Sequence, residues 1–480
     1  MSAVFLAGGT INVYISGWIA DKYGRKPAFY YCSLLGILGS GLITGSRNVS
    51  MYISGRLIAG ASSLGFLATT PFFTAELAPP ALRGLMVGMN GFNIALGYAL
   101  APYMAIAFYS STNPDVQWRA PNGIALVFPI LMAVICLIIP ESPRFLLMKG
   151  RLEEARAVVI KLHAVKGDHG QEFARGEFFQ MLKQSEMDRE LIPSWFEMFR
   201  KKSYRKRLVI AAFVSFFGQS TGVLVLNNYG PTIYAALGYD TKKQLDFQAG
   251  WVTMGVVANM VGALIVDKFG RRPLLMLGFG GSCVCLILEA VMVAVYGGQT
   301  ANQAGLQMGV AATYLFLFFY SLGADVASYC LYSELFPNFM RARGLSVTVT
   351  VLAVTDILYL QVAPTAFASI GWKYYLVFII LSAISVVWIY FVLPETKGIP
   401  LEEMARIFGD EVAVYQADIH PVPNTDKLVV EHHDAHGASV AEKVSLEDIS
   451  VRGILSPAAK DIEHGENPQA TELEHAGNLK

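Results

Sequence analysis

Four ionisable side chains, Arg56, Glu289, Asp325 and Asp356, each interrupt a long apolar stretch of this chain. A charge taken into hydrocarbon is costly, so residues of this kind are kept where they bind a solute, relay a proton or face water. Asp325 and Asp356 lie deep enough in their stretches to carry protons. Arg56 needs a carboxylate, backbone carbonyls or water, or else must snorkel to an interface. Glu289 can reach a water-filled crevice or a neighbouring helix. Uncharged hydrogen-bonding groups form a second set. The stretch GQSTGVLVLNNYGPTIY holds Gln219, Asn227, Asn228 and Tyr229 without a single charge. Asn90, Asn93 and Gly97 recur at i, i+3 and i+7 and share one helical face, as do Asp325, Tyr329 and Tyr332. Amides beside aromatic rings hold and orient a polar solute; they do not break bonds. No nucleophile and base or phosphate loop can be assembled from the sequence, so an enzyme is not expected. The five cysteines all sit in apolar runs without zinc or CxxC spacing, which reads as reduced packing residues. No cofactor, metal or nucleic-acid partner is expected.

A third set of charges is written twice. DKYGRKP (Asp21 to Pro27), ELAPPALRG (Glu76 to Gly84) and PESPR (Pro140 to Arg144) occur in that order in the first half. DKFGRRP (Asp267 to Pro273), ELFPNFMRARG (Glu334 to Gly344) and PETKG (Pro394 to Gly398) follow in the second, at offsets of 246, 258 and 254 residues. Three ordered matches at a near-constant offset argue for two duplicated bundles. Gly24 and Gly270 allow a tight reversal between antiparallel helices, and Pro27 and Pro273 suit the first turn of the next.

The elements that must carry these residues are membrane helices. The chain has 480 residues, 54% hydrophobic and 15% charged, where a soluble domain carries about 25% charged residues. Runs such as 84–114, 120–140, 208–239 and 290–324 contain no Asp, Glu, Lys or Arg, and about 18 such residues suffice to cross a bilayer. Splitting the runs at charges and turns predicts eleven helices, near 3–19, 27–45, 52–73, 84–108, 122–139, 208–237, 249–266, 273–295, 306–333, 344–370 and 372–393. Loops with Lys22, Arg25 and Lys26, with Arg83, with Lys268, Arg271 and Arg272, with Arg341 and Arg343, and the segment 141–207 are richer in Lys and Arg than the alternate set, which holds Arg47, Arg119, Lys242, Lys243 and Lys373. The positive-inside rule places the richer set and the C-terminus in the cytoplasm. The expected organisation is a membrane half at 1–140, a helical linker at 141–207 with the amphipathic stretch RLEEARAVVIKLHAV, a second half at 208–393, and a mostly disordered tail at 394–480. From residue 410 on, that tail holds 14 acidic and 5 basic residues. It carries six of the eight histidines, including His432, His433 and His436 in EHHDAH, in a context that shows no strand or helix signal.

From about Met1 to Ile407 the sequence resembles the sugar porter family of the major facilitator superfamily, of fungal type, on DKYGRKP, GRLIAG, PESPRFLLMKGRLEEA, GQSTGVLVLNNYGPTIY, DKFGRRP, ELFPNFMRARG and PETKG. The resemblance implies an all-α polytopic membrane protein of the plasma membrane. It would have two pseudo-symmetric helical bundles and carry a hexose, disaccharide or polyol by alternating access, with protons as a possible partner and the lipid bilayer as its surroundings. The family has twelve helices and this sequence begins at the second, so about eleven are expected and the chain as written is expected to transport poorly. By family register Gln219 is the sugar-binding glutamine, Tyr229 the second of two paired aromatics and Tyr329 the place of a sugar-stacking tryptophan. Gly218, Leu224, Asn228 and Gly91 depart from the family pattern. Arg56 matches an arginine that faces an acid on the family's first helix. The repeated charges match a state-dependent latch in which Asp21 and Arg25 pair with Glu76, Arg83, Glu141 and Arg144, and Asp267 and Arg271 with Glu334, Arg341 and Glu395. Two other functions remain open: a non-transporting sugar sensor, which would need a longer tail, and a carrier of a cyclic acid, which would need a basic side chain in the central cavity.

At about 100° per residue, Gln219 and Asn228 fall on opposite sides of an unbroken helix, with Asn227 nearer the Gln219 face. A common pocket therefore predicts a break, at Gly222 or at Gly230 and Pro231.

Overall fold

The structure is a computed structural model that describes all residues except 1, 110, 165–170, 192–193, 237–238, 297–302, 423–426, 434–438 and 446–480. Hydrocarbon offers the backbone no partner, so apolar runs of this length satisfy their own N–H and C=O groups as helices. The first half consists of α1 (Ser2–Lys22), α2 (Arg25–Thr44), α3 (Val49–Leu77), α4 (Arg83–Tyr109), α5 (Pro114–Ile124) and α6 (Val127–Ile138). The short helices α7 (Pro143–Met148), α8 (Leu152–His163), α9 (Glu172–Glu190) and α10 (Trp195–Arg200) form the linker. The second half is α11 (Lys202–Gln219), α12 (Val223–Ala236), α13 (Thr241–Phe269), α14 (Arg271–Tyr296), α15 (Gln303–Phe319), α16 (Val326–Leu335), α17 (Arg341–Ile370) and α18 (Tyr375–Val392).

Among the described residues ten helical runs are long and apolar enough to cross a membrane. The last of them, 338–392, is 55 residues long and turns back at Gly371 (φ 55°) between α17 and α18, so the expected eleven crossings are present. Within the first half α1 and α2 both pack on α3; within the second, α14 packs on α15 and α18. The halves meet along two seams, α4 against α13 and α1 against α17.

The tail departs from expectation. Residues 419–445 contain an antiparallel sheet of β1 (Ile419–Pro421), β2 (Lys427–His433) and β3 (Ser439–Ser445), in the order β1-β2-β3, with Val430 opposite Ile419 and Glu442. Leu428 and Val430 alternate inward and join Ile419 and Val414 on a linker core of Leu146, Leu147, Phe178, Phe179 and Leu182. The alternation is only two residues deep and sits among charges and histidines, which is why composition hides it. His432 and His433 lie on β2; His436 and residues 446–480 fall outside the described residues.

Burial pushes the Asp188 carboxyl of α9 up to about 6, against the opposing hydrogen bond from Gln184 Nε2 at 2.9 Å. A carboxyl raised on folding favours the folded state at low pH and loses that advantage as pH rises through about 6. Asp188→Asn is therefore expected to stabilise the solubilised chain at pH 7.5 by on the order of 1–3 kcal/mol, read as a higher thermal midpoint. At pH 5 the gain should shrink, and a gain independent of pH would show that the cause lies elsewhere.

Candidate functional site

Helix α11 stops at Gln219, and Gly222 takes up φ 79° before α12 begins at Val223. The turn is held locally: Ser220 Oγ donates to Phe216 O at 2.7 Å beside the helical bond from Ser220 N, and Thr221 Oγ1 donates to Gly218 O at 2.8 Å. This is the predicted break, and it turns Gln219, Asn227 and Asn228 into one cavity of about 660 Å³ between the two halves. Gln248 Nε2 donates to Asn227 Oδ1 at 3.0 Å, and Asn228 Nδ2 to Leu224 O at 2.9 Å. Trp251 and Tyr329 supply aromatic wall; Trp251 spends its own N–H on Thr313 O at 2.9 Å and presents its ring.

The same cavity collects three of the four charged groups singled out above, Arg56, Asp325 and Asp356. Arg56 lies over the Phe5 ring at 4.8 Å, and its Nε has no hydrogen-bond partner among the described residues. Asp325 closes a turn of π-helix, Tyr320–Asp325, inserted between α15 and α16. Such single turns displace one side chain from the regular face and occur often at functional sites. Glu289 is buried against Tyr375, outside the lining.

Three expected solute contacts are placed differently. Asn90 is buried and its Nδ2 donates to Val87 O at 2.7 Å, Asn93 is exposed and off the lining, and Tyr229 points its hydroxyl at Leu360 O, 3.3 Å away, with its ring on Phe367. Tyr229 is two residues from Asn227, about 200° around the helix, and so faces the bundle. The sequence reading missed Trp251 and Asn259, positions in α13 that no repeat or spacing marks.

The repeated charges gather at the linker end of the bundles. Glu76, with no exposed surface, accepts from Arg25 Nε at 2.9 Å and Nη2 at 2.8 Å, and from Arg341 Nη1 at 3.0 Å. The last bond joins the two halves. Its counterpart, Glu334, accepts from Arg271 Nε at 3.1 Å and Nη2 at 2.7 Å and from Thr396 Oγ1 at 2.7 Å, all within the second half. Asp267 accepts from Leu85 N at 2.9 Å and Arg271 Nη1 at 3.1 Å, so it seats the first turn of α4 from across the seam. Gly84 leaves room for it, since a Cβ there would stand 1.9 Å from Asp267 Oδ1. Asp21 makes no matching bond to α17 among the described residues. It lines a separate cavity of about 570 Å³ with Trp18, Trp195 and Arg343.

Four members of the expected latch act otherwise. Glu141 accepts from the backbone N of Arg25 at 3.0 Å and of Lys26 at 3.1 Å, and Glu395 from the backbone N of Arg271 and Arg272, both at 3.0 Å. They cap α2 and α14, where the free N–H groups and helix dipole attract a carboxylate. Arg144 pairs with Glu402, Nε to Oε1 at 2.8 Å, and donates Nη1 to Glu76 O at 3.0 Å. Arg83 is buried with Nε and Nη2 unpartnered among the described residues. Burial on its own would raise Glu402, but Arg144 and Arg83 outweigh it and hold the carboxyl below its ordinary range.

The family profile described as "Sugar (and other) transporter" matches residues 1–408. The chain is 30% identical over 435 residues to the "Probable polyol transporter 6" of Arabidopsis thaliana, covering 84% of this chain and 85% of that one. It is 28% identical over 432 residues to the "High-affinity glucose transporter" of Kluyveromyces lactis, covering 86% and 77%. Among solved structures the proton:xylose symporter XylE, from E. coli, bound to 6-bromo-6-deoxy-D-glucose, superposes with a TM-score of 0.74 at 21% identity, covering 85% of this chain and 88% of that one.

Proposed function

Because the chain belongs to the sugar (and other) transporter family, we propose that it carries a hydroxyl-rich solute, a sugar or polyol, across a membrane by rocking its two halves about the cavity. The observation that carries this reading is the cavity itself: amides from both sides of the α11 to α12 break converge beside aromatic rings at the junction of the halves. The cavity reaches Arg56, some twenty residues or about 30 Å along α3 from Glu76, while the linker end is held shut by Glu76 with Arg341 and by Asp267 with Leu85. With the linker end latched, alternating access assigns the opening of the cavity to the opposite end. The basic linker face lies in the cytoplasm on this reading, with the C-terminal tail beside it, in the plasma membrane. Asp325 and Asp356 are the carboxylates in the cavity that protons would load. A second reading, a carrier of an organic acid, is favoured by one observation: Arg56 puts a guanidinium in the lining.

Uptake of labelled hexoses, disaccharides, polyols and cyclic acids into proteoliposomes tests both. Gln219→Ala is expected to cut kcat/KM for the accepted solute about 10- to 30-fold, the loss of one or two solute hydrogen bonds. Uptake that is unchanged in Gln219→Ala would remove the cavity from the pathway. Arg56-dependent uptake confined to acids would favour the second reading, and binding without uptake would describe a sensor.

A further inference from the structure

The cavity leaves acceptors unpaired, and on the carrier reading above this bears on the charge of the solute. Asn259 of α13 has no exposed surface, and its Nδ2 donates to Gly255 O at 3.1 Å, so the end turned away from its own helix is the acceptor Oδ1. That oxygen has no hydrogen-bond partner among the described residues. Gly91 is what lets the amide sit where it does: a Cβ at that position would stand 2.6 Å from Asn259 Oδ1, too close for both, and 3.6 Å from Asp325 Oδ2. The amide oxygen and the Asp325 carboxylate are therefore near neighbours, and both residues line the cavity. Asp356, 2% exposed, brings a second carboxylate to the same cavity, and its Oδ2 is likewise unpartnered. The described lining contains one cation, Arg56, and that guanidinium lies over the Phe5 ring.

A hydroxyl can give each acceptor one hydrogen but leaves the carboxylate charge to be cancelled by a proton taken up from solvent. An ammonium group gives three hydrogens in charge-assisted bonds and cancels one charge. Uncompensated buried charge is the costlier alternative. We propose that the solute carries a protonated amine on its hydroxylated body, seated against Asn259 Oδ1 and Asp325, with Asp356 as a second counter-charge.

The test holds the skeleton fixed and varies only its charge: glucamine (cation), sorbitol (neutral) and gluconate (anion) as labelled substrates for proteoliposomes of the full chain at one pH. Binding to the detergent-solubilised chain is followed in parallel through the fluorescence of Trp251 in the cavity wall. The expected result is glucamine uptake at least tenfold above sorbitol in kcat/KM. The ratio should fall towards one in Asp325→Asn and be lowered in Asn259→Ala, two variants that serve as checks on each other should one fail to fold. A purely structural role for these side chains would lower both rates and leave the ratio where it stood. Sorbitol equal to or better than glucamine overturns the inference and leaves the carrier intact. Preference for gluconate overturns it in favour of Arg56 as the recognition group. Neither binding nor uptake of any of the three overturns both this inference and the hydroxyl-rich solute.

Discussion

Arg341→Met is expected to release the linker end of the molecule without unfolding it. The substitution keeps a long side chain but removes the bond from Arg341 Nη1 to Glu76 Oε1, while Arg25 still holds the same carboxylate through two nitrogens. No buried acid is stranded. A charge-assisted bond of this kind contributes about 1.5–3 kcal/mol, so the balance between latched and open states should move by roughly 10- to 150-fold towards the open one. Pairs of spin labels placed at the linker ends of α3 and α17 would report the change as a longer distance. Glu76→Gln should behave differently: it weakens the hold on Arg25 as well, leaves two buried guanidinium groups without a full counter-charge, and costs fold stability along with the latch. Unchanged distances in Arg341→Met would show that the contact does not hold the closed state and that the other bonds between the halves, Asp267 with Leu85 and Ser346 with Val13 among them, carry it.

Gly222→Val is expected to abolish uptake, a loss above 100-fold. The residue holds φ 79°, a region that costs an L residue about 1–2 kcal/mol and a β-branched one more. A Cβ would also stand 2.8 Å from the Phe378 ring. The cheapest relief is for α11 and α12 to merge into a continuous helix, and that rotates Asn228 out of the cavity while Gln219 stays. The variant should still insert in the membrane, because its apolar run is uninterrupted. Retained binding of the solute at normal affinity in a well-folded Gly222→Val protein would refute the claim that the break builds the site.

These two predictions differ in how far the sequence could have supported them. The break was legible because three amides at known spacing cannot meet on one straight helix, and Gly222 lies between them. The latch was legible only as a set of charges: the repeat marked which residues belong to it but not who pairs with whom. Glu141 and Glu395 precede helices in space rather than in sequence, so their capping of α2 and α14 cannot be read from their neighbours. Glu402 is 258 residues from Arg144, outside every repeated motif, and nothing in its local context announces a buried partner. Asn259 shares α13 with Gln244 and Gln248 but belongs to no repeat or spaced set, so in sequence it is indistinguishable from a packing residue. Tyr229 could have been excluded by the angular argument applied to Asn228, since it stands on the far side of the same helix from Asn227.

The unmatched seat of Asp267 has a mechanical consequence. A perfect two-fold arrangement would share the work of opening equally between its two seams. Here Asp267 grips the first turn of α4, whereas Asp21, its counterpart, faces the cavity of about 570 Å³ beside Trp195 and Arg343. Pulling the halves apart at the linker end thus breaks a carboxylate-to-backbone contact along the α4 edge, and along the α17 edge the ion pair of Arg341 with Glu76 and the bond from Ser346 Oγ to Val13 O. The gate is a door bolted on both jambs with different hardware: a carboxylate on backbone at one, a buried charge pair and a hydroxyl at the other, so the two bolts yield to different substitutions.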